Sequence, residues 1–150
     1  MTPLAAFAAK WSHPQYPPGR VDADALKAAQ ATFGAHFPAD YVAQILETGL
    51  PRPTSTLLHS VVEQDIGINP VSDFFSADQI IETTQGWRRI GLPQSTIAFA
   101  SDASGNLFCF DTEDPGIWFF DHDFDTLEVV ASTFSEWIEA QCAITPVAES

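Results

Sequence analysis

Residues 101–141 read SDASGNLFCFDTEDPGIWFFDHDFDTLEVVASTFSEWIEAQ, and their pattern decides the fold. Apolar runs alternate with turn signals. Leu107 to Asp111 and Ile117 to Asp121 form two expected strands, preceded by Thr96 to Ala100 and followed by Leu127 to Ala131. Ala103-Ser104-Gly105-Asn106 and Glu113-Asp114-Pro115-Gly116 separate them, and both carry residues suited to turn backbone. Connections this short join antiparallel neighbours. Gly105 is expected at the tip of the first hairpin, supplying a positive φ, with Asn106 tolerating the same region. Strand alternation puts Phe108 with Phe110 and Trp118 with Phe120, while Ile117 and Phe119 take the face opposite the latter pair. Aromatic residues on both faces imply a sheet covered on both sides. The stretch ends in a helix opened by a T-x-x-E pattern, Thr133 to Glu136, with Phe134, Trp137, Ile138 and Cys142 on its inner stripe.

The charge of this region is one-sided. No Lys or Arg follows Arg89, whereas eleven Asp and Glu do, Glu149 included. The whole chain has 150 residues, six Lys and Arg, twenty Asp and Glu, and a net charge of −14. Such a field repels nucleic acid and anionic membranes and attracts a basic protein. Apolar residues make up 45% and charged residues 17%, the balance of a globular protein. A single domain is expected. At this length it buries about 70% of its unfolded surface and needs no disulfide or metal. Cys109 and Cys142 fall on apolar stripes and read as packed thiols. The N-terminus MTPLAAFAAKW lacks the features of a signal peptide, and no apolar run is long enough to span a membrane. A cytoplasmic location is the expectation.

Upstream, WSHPQYPPGR (residues 11–20) is a proline-rich lead-in loop. Asp22 caps a helix with Leu26, Ala29 and Phe33 as its stripe and Gly34 as its stop. Pro38 suits the first position of another, with Tyr41, Val42, Ile45 and Leu46 as stripe and Gly49 and Pro51 at its end. Residues 52–75, including TSTLLHSVVE, are expected to hold a strand or two. Ser76 to Gln79 is an S-x-x-Q capping box, followed by a face of Ala77, Ile80, Ile81, Thr84 and Trp87. Helices, then strands, then a helix define the α+β class, with a mostly antiparallel sheet in the C-terminal half.

Chemical motifs are sparse. Asp121, Asp123 and Asp125 have D-x-D-x-D spacing, but Thr126 stands where a calcium loop needs Gly and Ser132 where it needs Glu. A solvated acidic turn is the simpler reading. His13, His36, His59 and His122 show no ligand spacing. Ser104 precedes a glycine but belongs to a turn rather than a nucleophile elbow. Arg88-Arg89 is the sole basic pair, too little for a nucleic-acid footprint. These readings point to a protein with no metal and no catalytic residues. Asp111, Glu113, Asp114, Asp121, Asp123 and Asp125 are the candidate partner-binding residues, expected to line one acidic face.

Three passages resemble the SUKH superfamily, which includes the fungal Smi and Knr cell-wall regulators and many bacterial immunity proteins. Phe33-Gly34 with Phe37-Pro38-Ala39-Asp40-Tyr41 is similar to its F/L-P-x-D-Y helix opening. Ile97 to Asp111 resembles its I-x-x-A-x-D-x-x-G-N-x-x-x-x-D signature, through Asp102, Gly105, Asn106 and Asp111. Ile117 to His122 resembles its aromatic-D-H-E strand, and Thr133-Phe134-Ser135-Glu136-Trp137-Ile138 resembles its S-F-x-E-F/W-I/L final helix. The N-G-G that members carry after the early helix is replaced here by Glu47 to Arg52. The resemblance implies one SUKH-like domain over residues 1–150, with 1–20 an N-terminal extension and 145–150 a tail. It implies a protein-binding role with no cofactor and no enzymatic activity: in bacteria, an immunity protein that binds and neutralises a toxin domain, often a nuclease. A regulatory or scaffolding module is the second reading, and an enzyme of unrecognised type the third.

Overall fold

The computed structural model describes residues 1–147; Glu149 and the end of the expected tail lie outside them. Among the described residues six helices surround one five-stranded sheet. They are α1 (Pro3–Trp11), α2 (Ala23–Phe33), α3 (Ala39–Thr48), α4 (Ser55–Gln64), α5 (Ala77–Arg88) and α6 (Phe134–Cys142). The strands are β1 (Asp73–Phe74), β2 (Thr96–Ser101), β3 (Leu107–Asp111), β4 (Ile117–Asp121) and β5 (Thr126–Ala131). All neighbours are antiparallel and lie in chain order, so β2 to β5 form the meander that the turn spacing requires. The fold class is α+β.

Both faces of the sheet are covered, as the aromatic alternation demands. On one face Phe99 and Phe110 stack at 4.2 Å and meet Tyr41 of α3 and Phe134 of α6. Phe108 meets Trp137 of α6 and Phe119 of β4 on that same face. On the other face Trp87 of α5 packs on Phe120, and the Thr84 hydroxyl accepts from the Ala98 N–H at 2.9 Å. Behind α5 lies α2, where the Arg88 guanidinium sits over the Phe33 ring. A buried aromatic of this kind costs about 3–5 kcal/mol when cut to Ala. The cluster around Tyr41 therefore carries much of the domain's stability.

Two regions differ from the sequence expectation. TSTLLHSVVE is not a strand: residues 55–64 form α4, and the only strand between 52 and 75 is the short β1. The buried stripe of α4 is Leu57, Ser60 and Val61, so a serine interrupts the apolar period. Ser60 earns its place by accepting from the Val147 N–H while donating to Thr56 O. The first eleven residues, given no element from sequence, include α1. Thr2 accepts from the Ala5 N–H, Pro3 opens the helix, and Leu4, Phe7 and Trp11 are buried against α6 and α3. Leu46, expected on the inner stripe of α3, is 42% exposed; Gln44 points inward instead. Its Oε1 accepts from Leu4 N–H and its Nε2 donates to Ser135 Oγ.

Gly49 ends α3 at φ +92°, and a Cβ there would lie 2.6 Å from the Gly19 carbonyl oxygen. The close approach exists because Gly19 and Leu50 exchange hydrogen bonds, N–H to O at 2.8 Å each way. This turn occupies the place of the family's N-G-G and admits only glycine at its tightest point.

Candidate functional site

The six acids proposed as one face are brought together as two groups at opposite ends of the sheet. Asp111 pairs with Thr96 at the end where β3 turns into β4. Glu113 and Asp114 lie in that turn. Asp121 pairs with Thr126 at the other end, where Asp123 and Asp125 form the β4–β5 turn. β4 separates the groups by about 13 Å along the strand. The expectation of a single face fails because consecutive hairpin turns in a meander project from alternate ends.

Several of these carboxylates have local structural tasks. Asp111 Oδ1 accepts from the N–H groups of Glu113 and Asp114, and its Oδ2 accepts from the Ser95 hydroxyl. Asp121 Oδ1 accepts from the Asp123 N–H. Asp125 adopts the left-handed conformation at φ 51°, a role Asp tolerates. Glu113, Asp114 and Asp123 are left as exposed charges. Among the described residues the one contact between a carboxylate and a basic side chain at ion-pair distance is Asp123 Oδ1 with His122 Nε2, at 3.4 Å. No described Asp or Glu is paired with Lys or Arg. Lys10 holds the carbonyls of Cys142 and Ile144 at the end of α6, and Arg88 donates at 2.9 Å to the carbonyl of Thr96, the strand partner of Asp111.

Hydrogen bonds join the two turns at the second acidic end. Asp102 Oδ1 accepts from the N–H groups of Ser104 and Asn106 at 2.9 Å, closing the β2–β3 turn. Asn106 is buried. Its Nδ2 donates to Asp102 Oδ2 at 3.0 Å, and its Oδ1 accepts from the His122 N–H at 3.1 Å. The His122 ring Nδ1 lies 2.6 Å from the same oxygen, and Trp87 flanks the ring at 5.6 Å. Gly105 takes the positive φ expected of it, +86°, whereas Asn106 does not share it. Its task is to link the β2–β3 turn to the β4–β5 turn. In the sequence His122 is one of four scattered histidines. Its neighbour across two hairpins becomes visible only once the strand register is fixed.

Two grooves accompany the acidic ends. One, about 280 Å³, lies by the β3–β4 turn and includes His36, Asp40, Asp111 and Thr133. Asp40 and Asp111 there are both bonded already. The other, about 350 Å³, lies between β5 and α6. The thiol of Cys109 is buried, and burial, with a smaller contribution from Asp111, pushes its pKa up, so it is a poor nucleophile. Among the described residues no group of three or more His, Cys, Asp or Glu is placed to hold a metal ion. Nor is any described helix long and apolar enough to cross a membrane.

These features define an α+β domain with an acidic sheet end whose two turns are joined by hydrogen bonds. The chain belongs to the SMI1 / KNR4 family (SUKH-1), whose model matches residues 20–140. The match spans α2 through most of α6 and includes all the quoted motifs. No curated protein matches the chain. The family supports a protein-interaction or immunity-type role and is generally non-catalytic.

Proposed function

We propose that this protein is a non-enzymatic immunity protein, which binds a basic toxin domain and blocks it. The observation that carries the reading is the set of carboxylates on the two hairpin ends, none of them paired with Lys or Arg among the described residues. Their field remains available to a partner. A toxin that grips phosphates does so with Lys and Arg, and an acidic surface competes for those groups. Membership of a family with immunity and regulatory roles supports the same reading. Long-range attraction raises the association rate, and well-paired charges slow release.

The product of the neighbouring gene is the partner to test. Its expression should arrest growth, and co-expression of this protein should restore it. Replacing Glu113, Asp114 and Asp123 by Lys should lower the association rate about tenfold or more at low salt and flatten its salt dependence. A neighbouring product that binds tightly without being toxic would favour the regulatory role. An association rate unchanged by the reversal would remove the acidic ends from the interface.

A further inference from the structure

We infer that the free edge of β5 is a docking site for an extended Lys- or Arg-bearing segment of the partner protein. This rests on the basic partner proposed above and adds where and how it binds. The two edges of the sheet are unlike. β1 is two residues long, which blunts it as a template. β5 is six residues long and hydrogen-bonded to β4 alone. Alternate residues of an antiparallel strand aim N–H and C=O at each neighbour. The outward set on β5 therefore has no strand partner among the described residues.

Side chains around this edge supply the selectivity. Val129 is 55% exposed and Val130 41%, an unusual pair to leave in water on an open edge. The pairing of β4 with β5 shifts register between Trp118–Val129 and Ile117–Ala131, making Val130 an extra residue. A bulge re-aims a side chain, and Val130 lines the groove between β5 and α6. Ile68, Phe108, Trp137 and Ala140 add apolar wall, and Glu128 and Glu136 add the charge. A strand laid against β5 continues the sheet. Every second side chain of that strand drops toward this groove, because the side-chain period is two. Apolar residues fit its wall, and Lys or Arg fits Glu128 and Glu136. Strand addition takes affinity from the main chain and specificity from such pockets.

Charge also decides against a second copy of this chain as occupant. Each copy carries −14, and edge-to-edge pairing would bring two Glu128 carboxylates near each other. Natural sheets use edge charges to prevent self-pairing. Here the charge is negative, so it deters this chain and admits a basic one.

The probe is a fluorescent ten-residue peptide of alternating Val and Lys, with two versions N-methylated on one or the other alternate set of residues. Saturable binding is expected, weakened by salt. One N-methylated version should lose at least tenfold in affinity and the other little, because only one edge of the peptide faces β5. The amides of 126–130 that face away from β4 should gain exchange protection. Glu128→Lys should weaken binding about tenfold, and Glu47→Lys on α3 should not. Absence of saturable binding, or equal effects of the two N-methylated versions, overturns the proposal. So does a dimer of the protein alone that protects the same amides. A Glu128→Lys chain that binds the toxic neighbour with unchanged affinity also overturns it, while leaving the immunity role standing. Peptide docking without any neutralisation does the reverse.

Discussion

Asp40 of α3 accepts two hydrogen bonds from Ser135 of α6, one from the backbone N–H at 2.9 Å and one from the hydroxyl at 3.0 Å. A residue in the first turn of one helix thereby caps another helix 95 positions later. The Ser135 hydroxyl also accepts from Gln44, whose carbonyl accepts from Leu4 N–H. One polar chain thus ties α1, α3 and α6 together over the aromatic core. Asp40→Ala removes a charged acceptor from a partly buried helix start and should cost about 2 kcal/mol in urea denaturation. Asp40→Asn keeps a side-chain oxygen and should cost less. Combined with Ser135→Ala, the effects should fall short of additivity. Independent losses would mean that the two residues do not stabilise the fold through each other.

The same pair shows how far sequence reading reached. Asp40 belongs to the F-P-x-D-Y passage and Ser135 to the Thr133–Ile138 passage of the last helix, so both lie in stretches that sequence singles out. Their contact was not, since it depends on how two helices cross one sheet face. Local signals served well where one residue type does one local task. Asp22, Gly34, the Ser76–Gln79 box and Gly105 all behave as read. The T-x-x-E pattern held by half: Thr133 accepts from Glu136 N–H, while Glu136 reaches back to Ser132 rather than to Thr133. Periodicity failed at α4 because Ser60 fills a core position for the sake of a distant backbone. At the acidic site, the residues were legible but their split between two ends was not. That split follows from strand direction, which a list of clustered acids does not contain.

Asn106 offers a sharper probe of the hairpin ends. Its side chain serves Asp102 and His122 from a buried position, so truncation leaves groups on two turns unsatisfied. Asn106→Ala should cost about 2–3 kcal/mol. The loss should be local as well as global, with faster hydrogen exchange at His122 and in the β4–β5 turn. Gly105→Ala strains only the positive φ and should cost less, about 1 kcal/mol. If Asn106→Ala proves the milder of the two, the link between turns is not what holds them.

Alkaline pH should destabilise the protein, and Tyr41 and Cys109 give the reason. Burial pushes both groups' pKa values up. In the unfolded chain they titrate near 10 and about 8.5. Above pH of about 8.5 the unfolded state therefore releases protons that the native state retains. Their contribution is complete below that pH and is lost as pH rises, by up to about 1.4 kcal/mol per pH unit for each group. The Tyr41 hydroxyl also has no hydrogen-bond partner among the described residues. Tyr41→Phe should thus be neutral or stabilising by about 1 kcal/mol at pH 7, and should lessen the alkaline loss. Denaturation at pH 7 and pH 10.5 checks both. A clear destabilisation at pH 7 would mean that the hydroxyl is bonded after all.

Calcium should leave the protein's stability nearly unchanged. Asp121, Asp123 and Asp125 imitate the first three ligand positions of a calcium loop, but a loop must then continue to bend around the ion. Here residues 126–131 are β5, paired with β4, so the backbone that would curl back is held straight. Asp121 Oδ1 is already engaged with Asp123 N–H, and Asp123 faces His122. What remains is diffuse attraction by negative charge. Weak binding of that sort adds less than about 1 kcal/mol unless the free ion exceeds several times its Kd. For a chain of this size, 1 kcal/mol moves Tm by about 2–4 °C. Melting with millimolar calcium and with excess chelator should therefore agree to within about 2 °C. A larger shift, or a stoichiometric metal retained through purification, would give the acidic end a structural ion and reopen the question of metal-dependent chemistry there.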